Sequence, residues 1–115
     1  MNSNPEEKRR FKRLGLHAGL RYHVRGSLSE FIRSVTDDIS EGGLSLRLDK
    51  FLSPNTHLNM EIDLLSRVLH PIGRVAWCAP LAHSDRKIAG VEFIEIDPLE
   101  KSYLQDYINM QTGQL

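Results

Sequence analysis

This sequence predicts a small, mainly β fold: a six-stranded antiparallel β-barrel with a C-terminal α-helix. Three observations carry that expectation. Apolar and polar residues alternate with period two through most of the chain from Leu20 to Ile96. After Asp97 the spacing changes to the threes and fours of a helix. The whole is 115 residues without an internal repeat or low-complexity segment, enough for one core without metal or disulfide staples. About six short strands followed by one helix is the pattern of a small closed barrel.

Residues 1–8 are polar, contain Pro5 and lack periodicity, and are expected to be disordered without a ligand. Residues 9–19 are basic and end in His17-Ala18-Gly19, more like an arm than an element of a core. The domain organisation expected is a flexible basic arm over residues 1–13 and a barrel domain over 14–115. Leu20, Tyr22 and Val24 alternate with Arg21, His23 and Arg25 to give a first strand, and Phe31 to Val35 is a shorter second one. Leu44, Leu46 and Leu48 alternate with Ser45, Arg47 and Asp49. The clearest strand runs from Leu58 to Leu64, with Leu58, Met60, Ile62 and Leu64 on one side and Asn59, Glu61 and Asp63 on the other, as in an antiparallel strand with one wet face. Val68 to Cys78 and Ile88 to Ile96 supply two more, joined by a polar loop. Residues 97–112 then read as the helix: Asp97 as N-cap, Pro98 in the first turn, Glu100 completing a capping box, and an apolar stripe of Leu99, Tyr103, Leu104, Tyr107 and Ile108.

Composition excludes several classes. The 40% hydrophobic and 26% charged shares are those of a soluble globular protein. No apolar run approaches the roughly 20 residues that cross a bilayer, and the N-terminus lacks a signal peptide's apolar stretch. The single cysteine, Cys78, cannot form an internal disulfide, and its neighbours favour a buried structural thiol. The location expected is cytoplasmic. Histidines 17, 23, 57, 70 and 83 are scattered, with no metal-ligand spacing. No nucleophile elbow, phosphate loop or paired-carboxylate motif is present; Asp37 and Asp38 are adjacent, so on a strand their side chains would diverge. No catalysis, metal or cofactor is expected.

The formal net charge of zero hides an asymmetry. Residues 8–29 hold seven Lys and Arg and no carboxylate, whereas residues 30–115 hold 13 acidic and 8 basic side chains, a balance of −5. A basic arm on a mildly acidic body implies a local anionic partner. Two short stretches sharpen that. Arg9-Arg10-Phe11-Lys12-Arg13 puts three guanidinium groups within five residues, Arg9 and Arg13 on the same side of an extended chain. Asp38-Ile39-Ser40-Glu41-Gly42-Gly43 is a turn-forming sequence with an acceptor, a hydroxyl and two glycines; by itself it suits any turn before a strand.

Taken together, the stretches resemble the PilZ family of cyclic di-GMP receptors, whose signature is Arg-x-x-x-Arg followed by Asp/Asn-x-Ser-x-x-Gly. Arg9 and Arg13 match the first half; Asp38, Ser40 and Gly43 match the second. Gly73-Arg74-Val75-Ala76-Trp77 resembles the family's Gly-x-Val-x-Trp strand, and Gly90-Val91-Glu92-Phe93 its Gly-Val-x-Phe strand. The family fold is a six-stranded barrel with a C-terminal helix, in agreement with the periodicity. The resemblance implies a bacterial cyclic di-GMP receptor that is not an enzyme. Arg9, Arg10 and Arg13 from the arm would meet Asp38, Ser40 and Gly43 on the barrel, and the shape change would act on an unidentified protein partner in trans. Arginine suits this ligand because its planar fork pairs with phosphate oxygens or with guanine O6 and N7, and its face stacks on a purine. Asp38 would accept from the guanine N1 and N2 donors, Ser40 can donate or accept, and Gly42 and Gly43 permit positive φ and a close approach of backbone to ligand. Trp77 is carried over as a ligand neighbour, with a core or barrel-face role as the alternative. One nucleotide or an intercalated pair fits the pattern, depending on arm geometry and on residues such as Lys8. Two other readings exist: a PilZ-like interaction protein without ligand binding, and nonspecific binding of nucleic acid or membrane surface by the arm, which would be steeply salt-dependent. No stacking platform of aromatic side chains accompanies the arm, which disfavours the last.

Overall fold

The structure, a computed structural model, describes residues 13–113; Arg9 and Arg10, and most of the expected arm, lie outside the described residues. The elements in chain order are β1 (Leu14–Gly15), β2 (Gly19–Val24), β3 (Ile32–Ser40), β4 (Gly43–Leu48), β5 (His57–Leu64), β6 (Arg67–Leu69), β7 (Ile72–Pro80), β8 (Lys87–Glu95) and α1 (Pro98–Gln111). Six strands close on themselves in the order β3-β2-β5-β7-β8-β4 and back to β3, all antiparallel. β1 adds to β3 outside this ring and β6 adds to β5. This is the six-stranded barrel with one C-terminal helix that the alternation predicts.

The inward positions of that alternation form the core. Leu58, Met60, Ile62 and Leu64 of β5 are all buried, as are Leu44, Leu46 and Leu48 of β4 and Leu20 and Tyr22 of β2. A closed ring leaves no unpaired edge among its six members, so the apolar interior needs covering only at the two ends. The helix covers one of them. Leu104 and Ile108 are buried in the core, the Tyr103 hydroxyl donates to the Leu64 carbonyl at 2.9 Å, and Gln105 Nε2 donates to Glu41 Oε1 at 2.8 Å in the β3–β4 turn. Asp97 caps the helix as expected, accepting from the Leu99 and Glu100 amides.

Several boundaries differ from the alternation. β3 runs on from Val35 to Ser40 because an extra residue, Asp37, is inserted between the Thr36 and Asp38 pairings. The run Val68 to Cys78 divides into β6 and β7 at His70-Pro71. Ala18 is buried against the core, so the stretch His17-Ala18-Gly19 belongs to the barrel rather than to an arm. The Glu100 carboxylate does not close a capping box; it reaches across to the His70 amide at 2.7 Å and to His70 Nδ1 at 3.0 Å. Leu99 remains exposed, and Cys78 is half-buried against the core rather than enclosed.

Candidate functional site

The site is built by register. The β3–β4 hairpin has only Glu41 and Gly42 in its turn, so Ser40 pairs with Gly43, Ile39 with Leu44 and Asp38 with Ser45. Asp38 and Ser40 therefore lie on a strand, not in a loop. The row continues across the sheet, with Ser45 opposite Gly90 of β8 and Gly90 opposite Trp77 of β7. Paired residues share a face, so Asp38, Ser45, Gly90 and Trp77 form one band on the outside of the barrel.

At one end of the band Asp38 is held from two sides. Arg13 Nη2 donates to Asp38 Oδ1 at 2.7 Å, and the Ser45 hydroxyl donates to the same oxygen at 3.0 Å. Both bonds fall on Oδ1, and among the described residues Oδ2 accepts none. Burial opposes ionisation of this carboxyl, but the hydrogen bonds from Arg13 and Ser45 and the charge of Arg13 outweigh it and hold the pKa below its ordinary value. Asp38 is thus a carboxylate with Oδ1 fixed by two side chains, the Ser45 backbone also favouring its charged form, and Oδ2 without a side-chain partner among the described residues. Arg13 contributes a second free group: its Nε–H is buried and has no hydrogen-bond partner among the described residues. Such an orphaned donor beside an open acceptor is unusual in a native fold.

Asp37 shares this face. Because it is the bulged residue, its side chain does not diverge from that of Asp38 as a regular strand would require. It pairs with Arg47, two residues beyond Ser45 on β4, at 3.0 Å to Nε and 2.9 Å to Nη2. The two aspartates are each matched to a different arginine, so they do not form a carboxylate pair.

The glycines of the site serve packing. A Cβ on Gly43 would fall well inside contact distance of the Val91 carbonyl oxygen and 3.1 Å from the Glu92 Cα, so only glycine lets β4 approach β8 there. Gly43 has no positive φ; among the described residues the positive-φ glycines are Gly26 and Gly113. Ser40 is buried, accepts from the Gly42 amide at 3.2 Å and donates to the Gly43 carbonyl at 3.3 Å, so its hydroxyl fastens the turn. At the other end of the band the Trp77 indole lies across Gly90: a Cβ there would sit 2.9 Å from Cζ2 and nearer still to Nε1 and Cε2. Gly90 makes room for the ring, and the ring remains 47% exposed. The sheet distance from Asp38 to Trp77 is roughly 14 Å, three strand spacings, and the indole leans back over the nearest of them.

Comparison with known proteins accords with this architecture. A family model for the PilZ domain matches residues 7–110. The chain belongs to the PilZ family. No protein in a comparison against curated sequences matches it. Among solved structures, the chain is similar to the Bacillus subtilis inhibitor of motility MotI/DgrA, at 22% identity and a TM-score of 0.78 over 92% of this chain and 52% of that one. It is also similar to YcgR of Escherichia coli in complex with c-di-GMP, at 16% identity and a TM-score of 0.76 over 92% of this chain and 46% of that one. A third is the K. pneumonia MrkH–c-di-GMP complex, at 17% identity and a TM-score of 0.78 over 92% and 53%. This chain spans about half the length of these neighbours, and likeness at such identities fixes the fold.

In this PilZ domain the signature residues are unequal. The structure brings Arg13 and Asp38 together and puts Trp77 on the same face, while Ser40 and Gly43 are engaged in holding the hairpin. Ser45 is a site residue that the sequence motifs do not mark, and Gly90, the first residue of the family's Gly-Val-x-Phe strand, enters the site through its register with Ser45 and Trp77. Ser45 was legible in principle: a two-residue turn after Ser40 puts it opposite Asp38 by counting. Gly90 is marked by its strand motif, but its place under Trp77 emerges only from the β4–β8 and β7–β8 registers.

Proposed function

We propose that this PilZ domain is a cyclic di-GMP receptor, a binding module and not an enzyme, with its ligand bound on the outer face between Arg13–Asp38 and Trp77. The observation that carries the reading is the half-used Asp38 carboxylate beside Arg13. Cyclic di-GMP offers guanine N–H donors and phosphodiester oxygens, and among the described residues this corner offers a carboxylate oxygen without a side-chain partner and an arginine beside it. A guanine donating to Asp38 Oδ2 leaves the Arg13 and Ser45 bonds to Oδ1 intact. The Arg13 guanidinium is then placed beside the base or its phosphate. Adenine presents an acceptor at N1 and no amino group at C2, so it cannot make the same bond.

Arg9 and Arg10, shortly before Arg13, supply further cationic forks to the phosphates. Ser40 and Gly43 act by fixing the hairpin that carries Asp38. The exposed indole of Trp77 offers a stacking surface on the far side of Gly90. Closure of the arm over the nucleotide creates a new surface, which a protein partner reads in trans. Two of the similar solved structures, YcgR and MrkH, are complexes with c-di-GMP, which supports the choice of ligand.

Calorimetric titration with cyclic di-GMP, cyclic di-AMP and GTP tests the reading on the wild type and on Arg13→Ala. Micromolar or tighter binding of cyclic di-GMP alone, lost in the variant, is expected. Absence of heat with cyclic di-GMP at high protein concentration, or equal binding of cyclic di-AMP, refutes it.

A further inference from the structure

The helix closes one end of the barrel; the other end has a different chemistry. At the Ile32 end of β3, far along the strand from the turn that α1 contacts, a cavity of about 340 Å³ opens between β2, β3, β4 and the segment after β4. Its floor is core, including Tyr22 and Leu48, and its rim includes Ile32 and Phe51, which are 43% and 57% exposed. Leu28, next in sequence to the lining residue Ser29, has a wholly exposed side chain.

The rim is also cationic. Arg33, Arg47, Lys50 and Arg86 line it against a single carboxylate, Asp49. Arg47 is matched by Asp37 and Arg86 by Asp49, whereas Arg33 and Lys50 have no ion partner among the described residues. An apolar cup with two unmatched positive charges, Arg33 and Lys50, on its rim is complementary to an apolar group flanked by negative charge.

We propose that this helix-distal mouth docks a segment of a partner protein that inserts one large apolar side chain between carboxylates. Phe51 on the rim and Leu28 in the neighbouring loop both expose large apolar side chains, which favours a polypeptide over a small amphiphile confined to the cup. Residues 8–13 of this chain are basic and would be repelled by the rim, so they are not the occupant. The surface is separate from the Asp38–Trp77 band, and its test requires no nucleotide.

The test is selection of a displayed library of short random peptides on the full chain, with counter-selection on the Arg33→Gln/Lys50→Gln double variant. Selected peptides are then synthesised and titrated by fluorescence anisotropy at low and high salt. The expected sequences place Asp or Glu on either side of Phe, Trp or Leu. Their affinity falls about thirtyfold in Phe51→Ser, the loss of an aromatic anchor, and about tenfold in the double variant. These side chains are exposed, so far-UV circular dichroism and the melting temperature of both variants stay at wild-type values. The proposal is overturned by no enrichment of acidic–apolar sequences over the counter-selected pool, by unchanged affinity in Phe51→Ser, or by saturable binding of decanoate without peptide binding. Self-association of the wild type that is abolished in Phe51→Ser also overturns it, in favour of a second copy of this chain.

Discussion

Substituting Gly90 by alanine tests the geometry of the site and its proposed chemistry separately. The new methyl would lie under 3.0 Å from three atoms of the Trp77 indole, so the ring must retreat by roughly 1 Å to regain ordinary contact at 3.4 Å. The ring is about half exposed, so it can swing outward without forcing the backbone apart. The stability cost is therefore at the low end of overpacking, about 1 kcal/mol, or a fall of about 4 °C in Tm for a domain of this size. Trp77 is the only tryptophan, so intrinsic fluorescence reports this displacement alone, and its emission should shift to the red as the indole leaves the sheet. If a guanine stacks on that ring, the lost contact corresponds to about 1–3 kcal/mol, a weakening of cyclic di-GMP binding by about 5- to 150-fold. An unchanged emission spectrum in a folded Gly90→Ala protein refutes the placement of the indole over Gly90. A shifted spectrum with unchanged nucleotide affinity leaves the geometry standing and removes Trp77 from the ligand site.

Gly43→Ala meets backbone rather than a side chain, the Val91 carbonyl, so it cannot be relieved by a rotamer change. A loss of more than about 4 kcal/mol is expected, seen as disappearance of the cooperative thermal transition; a Tm within a few degrees of wild type refutes the close approach of β4 to β8. Asp38 has a folded pKa below its ordinary 3.8, so its contribution to stability is present above that pH and is lost as pH falls through the folded value. Urea titrations should show Asp38→Asn less stable than wild type by about 1–2 kcal/mol at pH 7, with the gap closing below about pH 3.8; a gap that persists undiminished at low pH contradicts an ionised Asp38–Arg13 pair. Leu104→Ala in α1 removes a fully buried side chain from the covered end of the barrel and should cost about 2–5 kcal/mol by calorimetry; a cost under 1 kcal/mol would mean that the helix does not seal the core.

The strands with one wet face were the legible part of this fold. β5 carries its pattern openly because Leu58, Met60, Ile62 and Leu64 all point into the core while Asn59, Glu61 and Asp63 point away from it. The alternation marks β3 only as far as Val35, because the consecutive aspartates that follow interrupt it and look like the start of a turn. The signature residues Asp38, Ser40 and Gly43 stand out in the sequence, but their strand partners do not. Ser40 and Gly43 looked like ligand-facing loop residues, and their neighbours in the folded state are the hairpin's own backbone and β8. Those neighbours come from strand pairing, which alternation within one segment does not encode. The same holds for Ser45, whose outward position was visible although its bond to Asp38 depends on the two-residue turn.

Two bulges explain why the band exists at all. In a regular β3, Thr36 pairs with the inward Leu46, so Asp38 would also point into the barrel; the extra residue Asp37 turns it outward and opposite Ser45. In a regular β7, Val75 points inward and so would Trp77; the unpaired Ala76 between them reverses the ring to the outer face, opposite Gly90. The insertions lie on strands separated by β4 and β8, and both bring a chemically distinctive side chain to the surface in the same cross-strand row. Neither is needed to bury the core, since Ile39, Val75, Leu44 and Val91 would be served by unbroken alternation adjusted by one position. A feature that disrupts a ladder twice, and each time exposes a residue the core has no use for, is explained by what the surface does.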